Sequence, residues 1–159
     1  MKVSTILADL NPSQQEAVVH WGTPLLILAG AGSGKTRALT HRAAWLIAEK
    51  GVSPENILML TFTNKASTEM RERVGNLLLH SSTSLPFAGT FHSFCARILR
   101  QDGKHIGIDP SFVIYDEGDS LGIVKEAIEQ LGLEKTVKVK GAKIVISEAK
   151  NELINPLEY

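Results

Sequence analysis

The stretch Ala29-Gly30-Ala31-Gly32-Ser33-Gly34-Lys35-Thr36 constrains this chain more than any other. Before it stands a continuous apolar tetrad, Leu25, Leu26, Ile27 and Leu28, short enough for a strand buried on both faces of a parallel sheet. After it the pattern turns helical, with Leu39, Ala43, Leu46 and Ile47 on one face until Lys50-Gly51 supplies a cationic last turn and a C-cap. A strand, a glycine-rich turn and a helix in that order place the helix amides where an anion can meet them. The glycines let the backbone wrap so that successive N–H groups point at phosphate oxygens. Lys35 then reaches the β- and γ-phosphates and Thr36 offers a hydroxyl to Mg²⁺. The spacing is GxxxxGK[ST] except at its first position, where Ala29 replaces glycine, small for small. A dinucleotide fingerprint would need GxGxxG and an acid at the end of the next strand, and that strand ends here in Thr61-Phe62.

The flanking segments fill out an α/β chain. Asn11-Pro12 is an N-cap with proline at the first helical position, opening a helix to about His20. Residues 57–60 form a second buried strand, and Asn64 caps a helix to about Leu79 with Ala66, Met70, Val74 and Leu77 inward. A polar loop leads to a short strand at Phe87-Ala88, and Thr90 caps a helix through Phe94, Ile98 and Leu99. Phe112, Val113, Ile114 and Tyr115 read as one more strand. Beyond Asp116 the pattern is helical: Leu121, Val124, Ile128 and Leu131 make one stripe, and a second helix spans about 142–153. This predicts a parallel-sheet core over 1–110 and a helical appendage over 111–159.

Composition narrows the setting. With 159 residues, 43% of them hydrophobic, there is material for one domain or one and a part. Seventeen basic side chains balance seventeen acidic ones, so no bulk field announces a nucleic-acid or membrane partner. A single cysteine, Cys95, excludes an internal disulfide framework and any cysteine-based zinc site, and is expected as a small buried hydrophobe. The apolar run at residues 25–29 is far short of a membrane span, and residues 1–10 lack a signal-peptide pattern, so a cytoplasmic protein without a membrane role is expected.

Three further segments narrow the class: Leu10-Asn11-Pro12-Ser13-Gln14-Gln15-Glu16-Ala17-Val18, Thr61-Phe62-Thr63-Asn64-Lys65-Ala66 with Glu69-Met70, and Gly89-Thr90-Phe91-His92-Ser93-Phe94. Together with the glycine loop they resemble the UvrD/PcrA/Rep family of superfamily 1 DNA helicases, across most of residues 10–116 and more weakly to Leu153. The resemblance implies a RecA-like P-loop NTPase motor domain, with ATP and Mg²⁺ as cofactors and single-stranded DNA and its junctions with duplex as partners. It implies translocation with 3′-to-5′ polarity and duplex unwinding, in DNA repair or replication. Residues 29–36 would hold the nucleotide. Gln14 would read the adenine, and Arg37 would lie near the nucleotide; Gln14 also occupies the N3 position of a capping box, which does not exclude a ligand. Thr61, Phe62, Thr63, Asn64 and Lys65 would contact the single strand, with Phe62 stacking on a base unless it is a core residue at a strand end. Thr90, Phe91 and His92 would contact its backbone. His41 reads as a satisfied, non-catalytic histidine. Lys135, Lys138, Lys140 and Lys143 make either a duplex-facing patch or a solvated linker.

Hydrolysis by such a site needs an acidic box after a buried strand. The string Phe112-Val113-Ile114-Tyr115-Asp116-Glu117 has that form, and a small stand-alone P-loop ATPase or phosphotransferase would use Asp116 and Glu117. A nucleotide- or strand-binding module without hydrolysis is the other rival. In the resembling family the box comes later, which makes Asp116 a helix cap. The resemblance therefore implies the amino-terminal part of a longer helicase, inactive by itself, with an incomplete sheet, exposed apolar edges and a second motor domain as its partner.

Overall fold

The computed structural model describes residues 3–78 and 84–159. The expected helix end at Leu79 and the first part of the polar loop after it lie outside the described residues. The chain divides into two compact units, residues 1–110 and 111–159.

In the first unit a short helix α1 (Val3–Leu7) precedes α2 (Pro12–Val19), whose N-cap is Asn11 with proline at the helix start. The long helix α3 (Lys35–Lys50) ends at Gly51, whose φ of 63° is the left-handed cap that glycine adopts at little cost. Strand β1 (Leu58–Thr61), helix α4 (Asn64–Leu77), strand β2 (Phe87–Thr90) and helix α5 (Phe91–Asp102) follow. Single turns of 3₁₀-helix lie at Pro54–Asn56 and Gly103–Ile106. The two strands pair in parallel, Leu58 opposite Phe87 and Thr61 opposite Thr90. Helix α3 packs on α1 and α2 and also on α4, while α4 covers the sheet. Ile6, Val18, Ala44, Trp45, Met59, Met70, Val74 and Ala88 meet in the core.

Polar ties fix the helices around α3. Arg42 donates from Nη1 to the carbonyls of Ala17, Val18 and His20, closing the end of α2. Buried His41 donates from Nδ1 to the Ile6 carbonyl at 2.6 Å, which makes it a satisfied packing residue. At the far end of α3 the Lys50 ammonium lies 5.3 Å from the Trp21 ring centre and 5.1 Å from that of Trp45.

In the second unit α6 (Glu117–Gln130) packs on α7 (Val139–Asn151). Ile128 is its buried apolar residue, whereas Leu131, placed on the same stripe by periodicity, is 71% exposed.

Several expectations need correction. Residues 25–28 form no strand: Leu26 and Leu28 are 81% and 86% exposed while Leu25 and Ile27 are about half as exposed. That alternation has the strand period, but a strand requires a hydrogen-bonded neighbour, and no described residue supplies one. Phe112 to Tyr115 likewise form no strand, and Val113, Ile114 and Tyr115 are exposed. The cap of α4 is Thr63, whose extended backbone lets Oγ1 accept from Ala66 N, so Asn64 is the first helical residue. Leu39 is exposed on α3, where Ala43, Ala44 and Trp45 take the buried face. Cys95 is an exposed free thiol, because α5 buries Ala96 and not its neighbour.

These exposures set stability expectations. Met70→Ala should lower the unfolding free energy by about 2–5 kcal/mol, and Leu26→Lys should stay within about 0.5 kcal/mol, both by urea denaturation. A loss at Leu26 as large as that at Met70 would place residues 25–28 inside the folded unit.

Candidate functional site

The glycine loop is built by backbone conformations that a side chain would resist. Gly32 and Gly34 have φ of 75° and 85°, left-handed values that cost other L-residues about 1–2 kcal/mol. Gly34 is the N-cap of α3, and no side chain caps that helix. The first-turn amides therefore face the loop without a protein acceptor from a cap. No acidic residue stands in that turn, while Lys35 and Arg37 do. Cations at the positive end of a sixteen-residue helix are unfavourable unless an anion joins them.

Lys35 now folds back on its own loop. Its Nζ donates to the carbonyls of Ala29 at 2.8 Å and Gly30 at 2.6 Å. The Ser33 hydroxyl donates to the Gly30 carbonyl as well, at 2.8 Å. Thr36 is exposed at the helix start, and Ala31 is exposed at the crest of the turn. The Thr36 hydroxyl is an oxygen donor of the kind Mg²⁺ takes, and no cluster of three or more His, Cys, Asp or Glu that could hold a metal occurs among the described residues.

Helix α2 closes the other side. Asn11 Oδ1 accepts from Gln14 N at 2.9 Å, and Asn11 N donates to Gln14 Oε1 at 3.2 Å. The same Gln14 side chain donates from Nε2 to the Ser33 carbonyl at 3.0 Å, nineteen residues along the chain. Gln14 is thus both the N3 member of a capping box and a strut to the loop. Between them lies a cleft of about 230 Å³ lined by Asn11, Ser13, Gln14, Ala29, Gly34 and Lys35 among others, with no carboxylate in its wall. Arg37 does not line it: its guanidinium turns to Asp9 at 3.9 Å and faces a separate depression with His41 and Arg73.

A second cluster forms where the strands end. Parallel pairing sets Thr61 beside Thr90, and α4 and α5 both start there, with no acid in either first turn. Phe62 is 91% exposed, so it is not a core residue, and Phe91 is 54% exposed. Asn64, Lys65 and His92 are exposed too. Thr63 and Thr90 accept helix N–H groups through Oγ1 at 3.2 Å, which leaves each hydroxyl hydrogen to donate. Arg71 on α4 donates from Nη2 to the Ala88 carbonyl at 2.8 Å and braces β2. A Cβ on Gly89 would stand 2.5 Å from Ser93 Oγ and 2.7 Å from the Phe87 ring, so a side chain at the strand end would have to displace both.

The remaining candidates sit in the second unit. Asp116 caps α6, its Oδ1 accepting from Asp119 N at 2.8 Å, and Asp119 answers by accepting from Asp116 N. Glu117 pairs with Lys143 at 3.2 Å. Both carboxylates of the string that imitates an acidic box are thus engaged within the unit. Lys135, Lys138 and Lys140 are exposed, with Lys138 the N-cap of α7. The sequence pointed to Asn11 as a cap and to Ser33 in the loop; the bond from Gln14 Nε2 to the Ser33 carbonyl that ties the two together was not legible in it.

A family model described as the UvrD/REP helicase N-terminal domain matches residues 10–159. The chain is 50% identical to "ATP-dependent DNA helicase PcrA" of Bacillus subtilis over 97% of its length and 21% of that protein. It is 44% identical to a "Probable DNA helicase II homolog" of Mycoplasma capricolum over 99% of its length and 22% of that protein. To "ATP-dependent DNA helicase PcrA" of Staphylococcus aureus it is 45% identical, over 98% and 21% respectively. The chain spans about a fifth of the length of these relatives.

The loop geometry carries its own test. Gly34→Ala adds a left-handed side chain whose Cβ would lie 2.5 Å from Gln14 Nε2. It should cost about 1–2 kcal/mol in denaturation experiments. Gly30→Ala, with open space around it, should stay within about 0.5 kcal/mol.

Proposed function

The chain belongs to the UvrD/REP helicase N-terminal domain family, and on this premise we propose that it is the ATP-binding portion of an ATP-dependent DNA helicase. The observation that carries the reading is the start of α3: uncapped, without an acid, and flanked by Lys35, Thr36 and Gln14. A polyphosphate supplies the negative charge that this turn lacks. The backbone of residues 29–34 wraps the phosphates, Lys35 leaves its two carbonyls for the β- and γ-oxygens, and Gln14 meets the adenine. Mg²⁺, held on the protein side by Thr36, would neutralise charge between the phosphates. Arg37 would have to leave Asp9 to approach the nucleotide.

The strand ends are the proposed track for single-stranded DNA. Phe62 offers a bare ring to a base. Thr63, Asn64, Lys65, Thr90 and His92 offer donors, and the starts of α4 and α5 offer amides, to the phosphates. Phe91 and Thr61 complete that edge. The whole protein, in this reading, is a RecA-like P-loop motor acting in the cytoplasm on DNA junctions, in repair or replication, with 3′-to-5′ polarity. A second motor domain closes on the nucleotide and moves the gripped strand. The absence of any carboxylate in the wall of the cleft supports a chain that binds nucleotide and does not hydrolyse it alone.

Three measurements test this. Wild-type chain should bind ATP with no turnover with or without single-stranded DNA. Lys35→Ala, which removes two charge-assisted contacts, should weaken binding by about 3 kcal/mol, roughly a hundredfold, and retained affinity would overturn the phosphate-loop reading. Phe62→Ala should weaken single-strand binding by about 1–3 kcal/mol; unchanged affinity would remove the stacking role.

A further inference from the structure

Gln14 is held from both ends by groups whose chemistry admits one orientation of its amide. The Asn11 backbone N–H can only donate, so it fixes Oε1. The Ser33 carbonyl can only accept, so it fixes Nε2. Turning the amide over would set two donors together at Asn11 and two acceptors together at Ser33. In the held orientation, these bonds use one lone pair of Oε1 and one hydrogen of Nε2. One acceptor site and one donor hydrogen therefore remain on a side chain that lines the cleft.

That ordered pair distinguishes purines. Adenine presents an amino donor at N6 beside the N7 acceptor, which a carboxamide meets with two hydrogen bonds. Guanine presents O6 and N7, both acceptors, so its O6 would face Oε1 without a hydrogen between them. Discrimination is available only while the amide cannot turn over. Resting on the nucleotide reading of this cleft, we infer that Asn11 is a positioning residue for base selection: the capping box of α2 locks the Gln14 amide in the orientation that accepts adenine and refuses guanine. Asn11 acts twice, its Oδ1 anchoring Gln14 N at 2.9 Å and its own N–H holding Oε1. Without Oδ1 the first turn of α2 loses the anchor that places Gln14 over Asn11 N–H.

The test is calorimetric titration of the full 159-residue chain with ATP, GTP and inorganic tripolyphosphate. Asn11→Ala should lower the ATP-over-GTP affinity ratio by about tenfold, the scale of one misplaced hydrogen bond. Tripolyphosphate affinity, which reads the loop, should fall by less than ATP affinity. Asn11→Ser, a neutral cap of similar strength, should restore the ratio. An unchanged ratio in Asn11→Ala overturns the inference and leaves Asn11 a helix cap. So does a wild-type chain that does not prefer ATP, or an Asn11→Ala chain that loses all three ligands equally. A wild-type chain that binds neither ATP nor tripolyphosphate brings down the nucleotide reading itself, and this inference with it.

Discussion

Two left-handed glycines, Gly32 and Gly34, stand between the apolar run of residues 25–28 and α3, which starts without a side-chain cap. The rest of the first unit depends on that junction. It fixes where α3 begins, and α3 is the helix on which α1, α2 and α4 pack. It also leaves the positive end of that helix open, beside two basic side chains, where a capped helix would have satisfied itself. The packing of the unit and its candidate binding surface therefore share one turn. The Lys35 bonds to the Ala29 and Gly30 carbonyls give the ammonium a resting place inside the loop.

A second junction repeats the logic with different chemistry. Parallel strands end on the same side, so α4 and α5 open next to each other at Thr61 and Thr90. Here threonines cap both helices, and what faces outward is a phenylalanine ring, hydroxyl hydrogens and a lysine. Open α/β folds put their ligands at the carboxyl ends of strands; the second candidate surface lies at such ends, whereas the first rests on a helix start alone.

Most of this was legible in the sequence wherever the decisive contacts are local. The glycine loop, the Asn11 capping box, the Gly51 and Thr90 caps and the period of α3 each follow from residues within a few positions of one another. Strand state was not local. Residues 57–60 and Phe87-Ala88 found partners in each other, whereas residues 25–28 and 112–115 carry the same apolar signal without a described neighbour. Asn64 was named as a cap in place of Thr63 because two cap-forming residues stand side by side, and only backbone geometry chooses between them. The direction of Arg37 was equally hidden, since Asp9 is far from it in sequence. Cys95 belongs to the same class: an apolar residue type on a helix that buries little of itself.

The Lys50 contact with Trp21 and Trp45 fixes how this molecule can be watched. Trp45 sits on α3 about 15 Å along the helix axis from its first residue, and the Lys50 ammonium lies against both its ring and that of Trp21. Their emission reports the integrity of the α2–α3 junction under a neighbouring ammonium. Ligand arrival at the loop is read directly by a probe carried on the ligand itself.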